Sequence, residues 1–356
     1  MSITKVAKLA GVSSSTVSRV INSHPRVAPE TVKVVRAAMA RLSYAPSDRR
    51  PGPKPANRAR PVNANVVFLM LGSPRGQSTP GFERLLRGVS LAASAQKLNF
   101  SFTHVPNVEQ LQLRMDEGRI DGVILHGAAT DQVRERFERY PAVWVMCNRR
   151  RPSWGDQVMP DTYHIGELAA NYLKSRGHER VAYLNLDGSF WPFEMSSHAF
   201  SIVSRELDMK STILTRERQE SGGYWPAHSA HLVESLVEEF VALPNKPTGI
   251  FVADDMQAAL LQPALQRAGV KIGKGVDVVS CNNERPYLIG LNPVPVVIDT
   301  QIESIGRRAV EQLLWRIENR SVNERILTAI EPGLVGPDGA PIGESAESLD
   351  LATAHD

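Results

Sequence analysis

Two different rhythms of apolar and polar residues divide the chain. Near its start, apolar residues recur at helical spacing over residues 4–10, 14–21 and 29–42, which predicts three short helices around a small core. From Asn65 onward, short β-rich runs alternate with amphipathic stretches. Strands are predicted at VVFLML (66–71), FSFTH (100–104), GVILH (122–126), AVWVM (142–146), VAYLNL (181–186), STILT (211–215), GIFVA (249–253), VDVVS (276–280) and VPVVID (294–299). Between them, helices are predicted near 82–96, 109–117, 131–139, 163–176, 196–207, 229–242 and 256–268, with a last one near 301–317. Serial alternation of this kind implies parallel sheet. Its length suits two doubly wound subdomains spanning residues 62–335. The stretch 336–356 lacks periodicity and is expected to be a disordered tail.

Between the two rhythms lies PSDRRPGPKPANRARP (46–61), with five prolines and five Lys/Arg, which predicts an extended linker over 47–61. Charge sharpens the division. The whole chain of 356 residues carries a formal +3, but residues 1–60 hold twelve Lys/Arg and two Asp/Glu, and the remainder 29 against 36. A basic arm of +10 on a body of −7 points to a polyanionic partner for the arm. The two cysteines, Cys147 and Cys281, are too few and too far apart for a disulfide framework or a cysteine-rich zinc site. MSITKVAKLAGVSSS has no apolar export core and no run is long enough to span a membrane, so a cytoplasmic protein without a membrane partner is expected.

ITKVAKLAGVSSSTVSRVI carries the sharpest local signal. Gly11 is placed for a tight turn between two helices and Ser13 to cap the second. Val17, Val20 and Ile21 are expected to face Val6, Leu9 and Ala10, which leaves Ser14, Ser15, Ser18 and Arg19 outward. Such a small, polar and basic face suits the major groove, where hydroxyls meet base edges or phosphates and arginine can grip guanine. An ordinary helical hairpin is the competing reading.

VAKLAGVSSSTVSRVIN followed by VAPETVKVVRAAMARLSYAP resembles the DNA-binding headpiece of the lactose-repressor (LacI/GalR) family of bacterial transcriptional regulators. A looser likeness continues through LLRGV, RIDGVILHG, PDTYHIGELAANYLKSRGHERVAYL, IFVADDMQAALLQPALQRAG and IDTQIESIGRRAVEQLL. The resemblance implies an α/β chain: a three-helix helix-turn-helix headpiece over 1–46, then a periplasmic-binding-protein-like core of two doubly wound parallel-sheet subdomains. It implies a homodimeric repressor of a pseudo-palindromic double-stranded DNA operator, controlled by a small sugar-like effector and needing no cofactor. Position by position, it places Ser14, Ser15 and Arg19 at base edges and Thr16, Asn22 and Thr31 at phosphates. It places Asn148, Asp254 and Asn282 at the effector, with Trp191 and Glu194 nearby; Glu194 stands where the family commonly has an arginine. Trp191, Phe193 and Trp225 would suit the C–H faces of a polyhydroxylated ligand.

Where the family commonly folds a hinge helix, this chain has Ser47-Asp48-Arg49-Arg50-Pro51-Gly52-Pro53-Lys54-Pro55, whose prolines forbid a helix. Arg49, Arg50 and Lys54 are instead expected to enter the minor groove, in the manner of an AT-hook. A flexible spacer touching only phosphates is the alternative. Arg149, Arg150 and Arg151 could bind an anion, though such a run is commonly a solvated loop. His228 and His231 have metal-pair spacing without a third ligand, and read as surface residues. Asp254-Asp255 is the one adjacent carboxylate pair at a predicted strand end, and a helix start accounts for Asp255. No phosphate-loop lysine motif, GxGxxG, GxSxG or HExxH is present, and no enzyme is expected. Two rivals remain: a sugar-binding or sugar-processing α/β protein with a non-specific nucleic-acid-binding arm, and a constitutive architectural DNA binder.

Overall fold

The computed structural model describes residues 3–21, 27–42, 64–72, 79–106, 120–217 and 230–342. They belong to two compact units, one within 1–58 and one from 59 onward. The predicted linker, the helix near 109–117 and residues 343–356 lie outside the described residues.

The first unit contains α1 (Ile3–Ala10), α2 (Ser14–Ile21) and α3 (Pro29–Arg41). Gly11 adopts φ +65°, which lets α2 leave α1 through a three-residue turn. The Ser13 hydroxyl accepts the Thr16 amide at 3.1 Å and so caps α2. The buried core is made of Val6, Ala7, Ala10, Val17, Val20, Val35 and Ala38. Leu9 corrects the sequence expectation: it is 44% exposed, and Ala7 takes the inward position. Close helix approach in so small a bundle favours the shorter side chain.

The second unit runs β1 (Asn65–Leu71), α4 (Pro80–Ala95), β2 (Asn99–Val105), β3 (Gly122–Gly127), α5 (Asp131–Phe137), β4 (Ala142–Cys147), β5 (Asp156–Pro160) and α6 (Thr162–Ser175). It continues with β6 (Arg180–Asn185), α7 (Trp191–Glu206), β7 (Lys210–Thr215), α8 (Ala230–Ala242), β8 (Gly249–Val252), α9 (Asp255–Arg267), β9 (Asp277–Cys281) and α10 (Arg285–Leu288). β10 (Val296–Asp299), α11 (Ile302–Glu318), β11 (Leu327–Ile330), β12 (Gly333–Val335) and β13 (Pro341–Ile342) complete it.

Among the described residues these strands form two sheets, ordered β11-β5-β4-β3-β1-β2 and β13-β12-β10-β9-β8-β6-β7. Pairing is parallel except at β10–β12 and β12–β13. Both faces of each sheet are covered by apolar clusters, as the unbroken apolar runs of β1 and β8 require. In the first subdomain α4 and α11 cross so closely that a Cβ on Gly88 would lie 2.1 Å from the Glu303 carbonyl oxygen. The chain passes between the subdomains three times: from β5 into α6, from β10 into α11 and from β11 into β12. Each connection is only one or two residues long, so the three together can act as a hinge.

Two expectations change here. Helix α7 begins at Trp191 rather than near 196, because Pro192 is tolerated in a first turn. The stretch expected to be disordered from 336 onward is ordered as far as Ile342, where β13 pairs with β12 and the Gly336 amide bonds to the Ala340 carbonyl at 2.7 Å.

Candidate functional site

On α2, Ser14, Ser15 and Arg19 are exposed, and Thr16 is half-buried. Ser13 draws the hydroxyls of Ser15 and Thr16 to itself, each at 2.8 Å. Ser15 must therefore exchange an internal hydrogen bond for any external one, whereas its neighbour Ser14 has no side-chain bond among the described residues. Thr31 sits half-buried in the first turn of α3. Asn22, Arg49, Arg50, Lys54, Trp225 and His228 lie outside the described residues, as does the Ser18 side chain.

Within the second unit, a cleft of about 400 Å³ opens between the two subdomains. It lies beyond the carboxyl ends of the strands, where open α/β sheets commonly take ligands. Asn148, Asp254 and Asn282 all line it, as expected. Asn148 follows β4, its amide bonds to the Gly127 carbonyl at 3.0 Å, and its side-chain oxygen accepts the Ala129 amide at 2.8 Å. Gly127 must be glycine: φ is +118°, and a Cβ would stand 2.2 Å from the Leu71 carbonyl oxygen. Asn282 follows β9 with φ +97°, and its amide bonds to the Ile298 carbonyl at 2.8 Å. Asparagine tolerates this region better than most residues.

Asp254 caps α9. Its Oδ1 accepts the Gln257 amide at 2.7 Å and its Oδ2 the Gln257 side-chain amide at 3.2 Å, while Gln257 in turn accepts the Leu186 amide. Burial pushes the Asp254 carboxyl up to about 6, against the pull of the Gln257 hydrogen bonds. Asp255 is not explained by the helix start, which Asp254 already caps. It is fully buried and accepts from the Ser280 hydroxyl and the Glu284 amide, both at 2.5 Å, tying α9 to β9 and to the turn after it. Burial lifts its carboxyl to about 8.

Two expected residues fall elsewhere. The Trp191 ring nitrogen donates to the Cys147 carbonyl at 2.7 Å, so the indole links α7 to the end of β4 across the subdomains. It lines a separate cavity of about 30 Å³ that shares Val145 and Met146 with the cleft. Glu194, one turn along α7, is exposed and does not line the cleft. Phe193 does, beside Phe190, with ring centroids 4.9 Å apart. Arg149, Arg150 and Arg151 are exposed and none lines the cleft; His231 is exposed on α8.

Three ionisable residues not anticipated from the sequence also line the cleft. Asp187 lies in the turn after β6 and accepts from the Ser189 hydroxyl at 3.0 Å. His126 is the next-to-last residue of β3, just past a shift in its register with β4, an irregularity that re-aims side chains near sites. Its Nδ1 is buried without a partner among the described residues, and burial lowers its ring to about 4, so the imidazole is neutral. Glu284 reaches from the second subdomain to the first turn of α4, where Oε1 accepts the Gly81 amide at 2.7 Å. Burial and the neighbouring Asp254 charge lift Glu284 to about 7. Arg84, also on α4, crosses the same boundary to the carbonyls of Asn282 and Asn283, at 3.4 and 3.1 Å, and to Asp299. The subdomains are thus clasped on both sides of a ligand-sized cleft, by Trp191 on one and by Glu284 and Arg84 on the other.

Comparison with known proteins gives this arrangement its context. Residues 2–47 match the family model of bacterial regulatory proteins, lacI family. Residues 66–191 match that of periplasmic binding proteins and the sugar binding domain of the LacI family, and residues 170–335 a periplasmic binding protein-like domain. Among curated relatives, the chain is 27% identical to the HTH-type transcriptional repressor PurR of Vibrio atlanticus (strain LGP32), over 91% of this chain and 94% of that one. It is 24% identical to the ribose operon repressor of Escherichia coli (strain K12), over 90% and 94%. Among solved structures, the transcriptional regulator CelR in complex with cellobiose superposes with a TM-score of 0.62 at 20% identity, over 94% of this chain and 98% of that one. The Lac repressor bound to ONPG in the repressed state superposes with a TM-score of 0.60 at 19% identity, over the same shares.

Proposed function

Because the chain belongs to the LacI family of bacterial regulatory proteins, we propose that it is a transcriptional repressor acting as a homodimer on a pseudo-palindromic operator, with a small hydroxylated effector in its cleft. On this reading Arg19 reads bases with Ser14 and Ser15, while Thr16, Asn22 and Thr31 hold phosphates and fix register. The linker arginines Arg49 and Arg50 and Lys54 enter the minor groove. Effector contacts come from Asn148, Asp254 and Asn282, with Phe193 against the C–H faces of the ligand.

The observation that carries the reading is one chain holding both an exposed helix-turn-helix face and a cleft walled by two hinged subdomains. Such a cleft can couple the two functions by linkage: a ligand that binds one relative placement of the subdomains better than another shifts the population, and with it operator affinity. No chemical step is needed, and both curated relatives named above are repressors.

The test is a pair of titrations on the full chain and on a form lacking residues 1–60. Operator-specific binding is expected only in the full chain, and stabilisation by a sugar ligand in both. In the full chain, Arg19→Ala is expected to cost about 1–3 kcal/mol at the operator and little on random DNA. Turnover of the ligand, or equal losses on both DNAs, would overturn the corresponding part of the reading.

A further inference from the structure

Among the described residues, the charged side chains lining the cleft are Asp187, Asp254 and Glu284, with no lysine or arginine. Across the boundary, the Arg84 charge favours ionised Glu284, but its guanidinium is committed to two backbone carbonyls and to Asp299. The carboxylates consequently work against one another: the Asp187 charge resists ionisation of Asp254, and the Asp254 charge resists that of Glu284. Like charges held together in a partly desolvated cavity are relieved by a bound cation and aggravated by a bound anion.

The three carboxylates are not equally available. Asp254 spends both oxygens on Gln257, and Asp187 is engaged in its own turn. Glu284 uses Oε1 on the Gly81 amide, and Oε2 has no hydrogen-bond partner among the described residues. A second, independent group in the same wall awaits a partner, the buried Nδ1 of His126. Around them stand the side-chain amides of Asn148 and Asn282 and the rings of Phe190 and Phe193, which suit hydroxyls and an apolar ring face.

Resting on the reading that this cleft holds the effector, we infer that the effector is a hydroxylated ring bearing a protonated amine, as in an amino sugar, with the ammonium on Glu284. An ammonium brings three donors to a site rich in acceptors. Among the described residues no lysine or arginine lines the cleft to receive the phosphate or carboxylate of an acidic sugar. Because Glu284 also holds the first turn of α4, the charge pairing sits on the contact between the subdomains.

The test is calorimetric titration of the full chain with glucosamine, galactosamine and mannosamine, each against its parent hexose and the hexose 6-phosphate, at about pH 7, where the sugar ammonium and a large share of ionised Glu284 coexist. At least one amine is expected to bind about tenfold or more tighter than its parent, the size of one desolvated charge pair, and no phosphate to bind. Glu284→Gln should remove that preference, so that each amine binds no tighter than its parent hexose. A parent hexose bound as tightly as its amine, a bound phosphate, an amine preference that survives Glu284→Gln, or no amine bound at all overturns the inference. The broader reading is judged separately through Asn148→Ala: if a neutral hexose binds and this substitution weakens it, the cleft is the effector site though the inference has failed. Binding that ignores both substitutions lies elsewhere, and both fail.

Discussion

The exposed face of α2 and the cleft of the second unit treat charge in opposite ways. Ser14, Ser15 and Arg19 come from six consecutive residues of one helix and lie exposed, where a guanidinium keeps its hydration until DNA replaces it. The cleft gathers Asp187, Asp254 and Glu284 from three separate loops and holds Asp254 and Glu284 largely out of water, at a cost visible in their raised carboxyl values. A surface that meets a long polyanion can leave its charge solvated, because affinity there comes from many weak contacts and released counterions. A cavity that selects one small molecule gains from electrostatic stress that only the right ligand relieves. The remaining contrast is in the supporting core: seven small buried side chains under the reading face, against two covered sheets around the cleft.

That contrast in cores gives the largest expected effect. Val17→Asp puts a carboxylate at a fully buried position of the small bundle, and should cost about 3 kcal/mol or more. A three-helix unit of this size has little stability to lose. Operator binding should vanish in a gel-shift assay while ligand binding, followed by calorimetry, survives. Loss of both together would show that the units do not fold independently.

Titration sharpens the other side. Asp254, Asp255 and Glu284 all have carboxyls raised in the folded state, to about 6, 8 and 7, chiefly by burial. The folded chain therefore holds protons that the unfolded chain has released. Stability from these groups is complete below about pH 4 and falls progressively as pH rises, the last of it lost through about pH 8, where Asp255 ionises in the folded chain. Thermal unfolding of the form lacking residues 1–60 should show a midpoint that falls across this window, and Glu284→Gln should flatten its upper part. A midpoint that rises from pH 5 to about pH 8 would contradict the burial of these charges.

What the sequence revealed follows the same division. The headpiece was legible because its signals are local: Gly11, Ser13 and the apolar spacing of α1 and α2 act within a few residues of one another. The serial βα rhythm placed β1 to β4 and β6 to β10, the exposed edge strands β2 and β7 included, but not the short β5, β11, β12 and β13. Asn148, Asp254 and Asn282 were placed by the family resemblance, and the structure sets all three along the cleft, at or just past strand ends. Glu284 was not, because its role depends on Gly81, far away in sequence, and His126 depends on a register shift that periodicity does not encode. Trp191 and Glu194 were misplaced because the true start of α7 turns the indole toward Cys147 and leaves Glu194 exposed.

A smaller effect separates the two roles that Asp254 combines. Asp254→Ala removes both a ligand contact and the cap of α9, the latter worth about 1–2 kcal/mol. Asp254→Asn keeps an oxygen for the Gln257 amide and should unfold at nearly the parent temperature. Both variants should bind operator normally and respond weakly to effector. If only Asp254→Ala loses the response, capping accounts for the residue and the ligand contact is not needed.

The smallest effect concerns the basic arm, where the comparison between solvated and buried charge can be carried onto DNA itself. The stretch Arg49-Arg50-Pro51-Gly52-Pro53-Lys54-Pro55 lies outside the described residues, but its chemistry is restricted by composition. Each interior proline would cost a helix about 3 kcal/mol, so a hinge helix that wedges a side chain between base pairs is not expected of this composition. An extended strip with arginines on a Gly/Pro backbone is thin enough for a narrow A·T-rich minor groove, whose enhanced negative potential favours them. Replacing the central base pairs of the operator by G·C should then weaken binding by about 1 kcal/mol, within the range for single mismatched pairs. Arg50→Ala should lower affinity on the native centre and erase its advantage over the G·C version. Gel phasing should detect no strong kink. Indifference of the parent chain to the central sequence would leave Arg49, Arg50 and Lys54 as phosphate contacts, solvated like Arg19 before binding but without its power to discriminate.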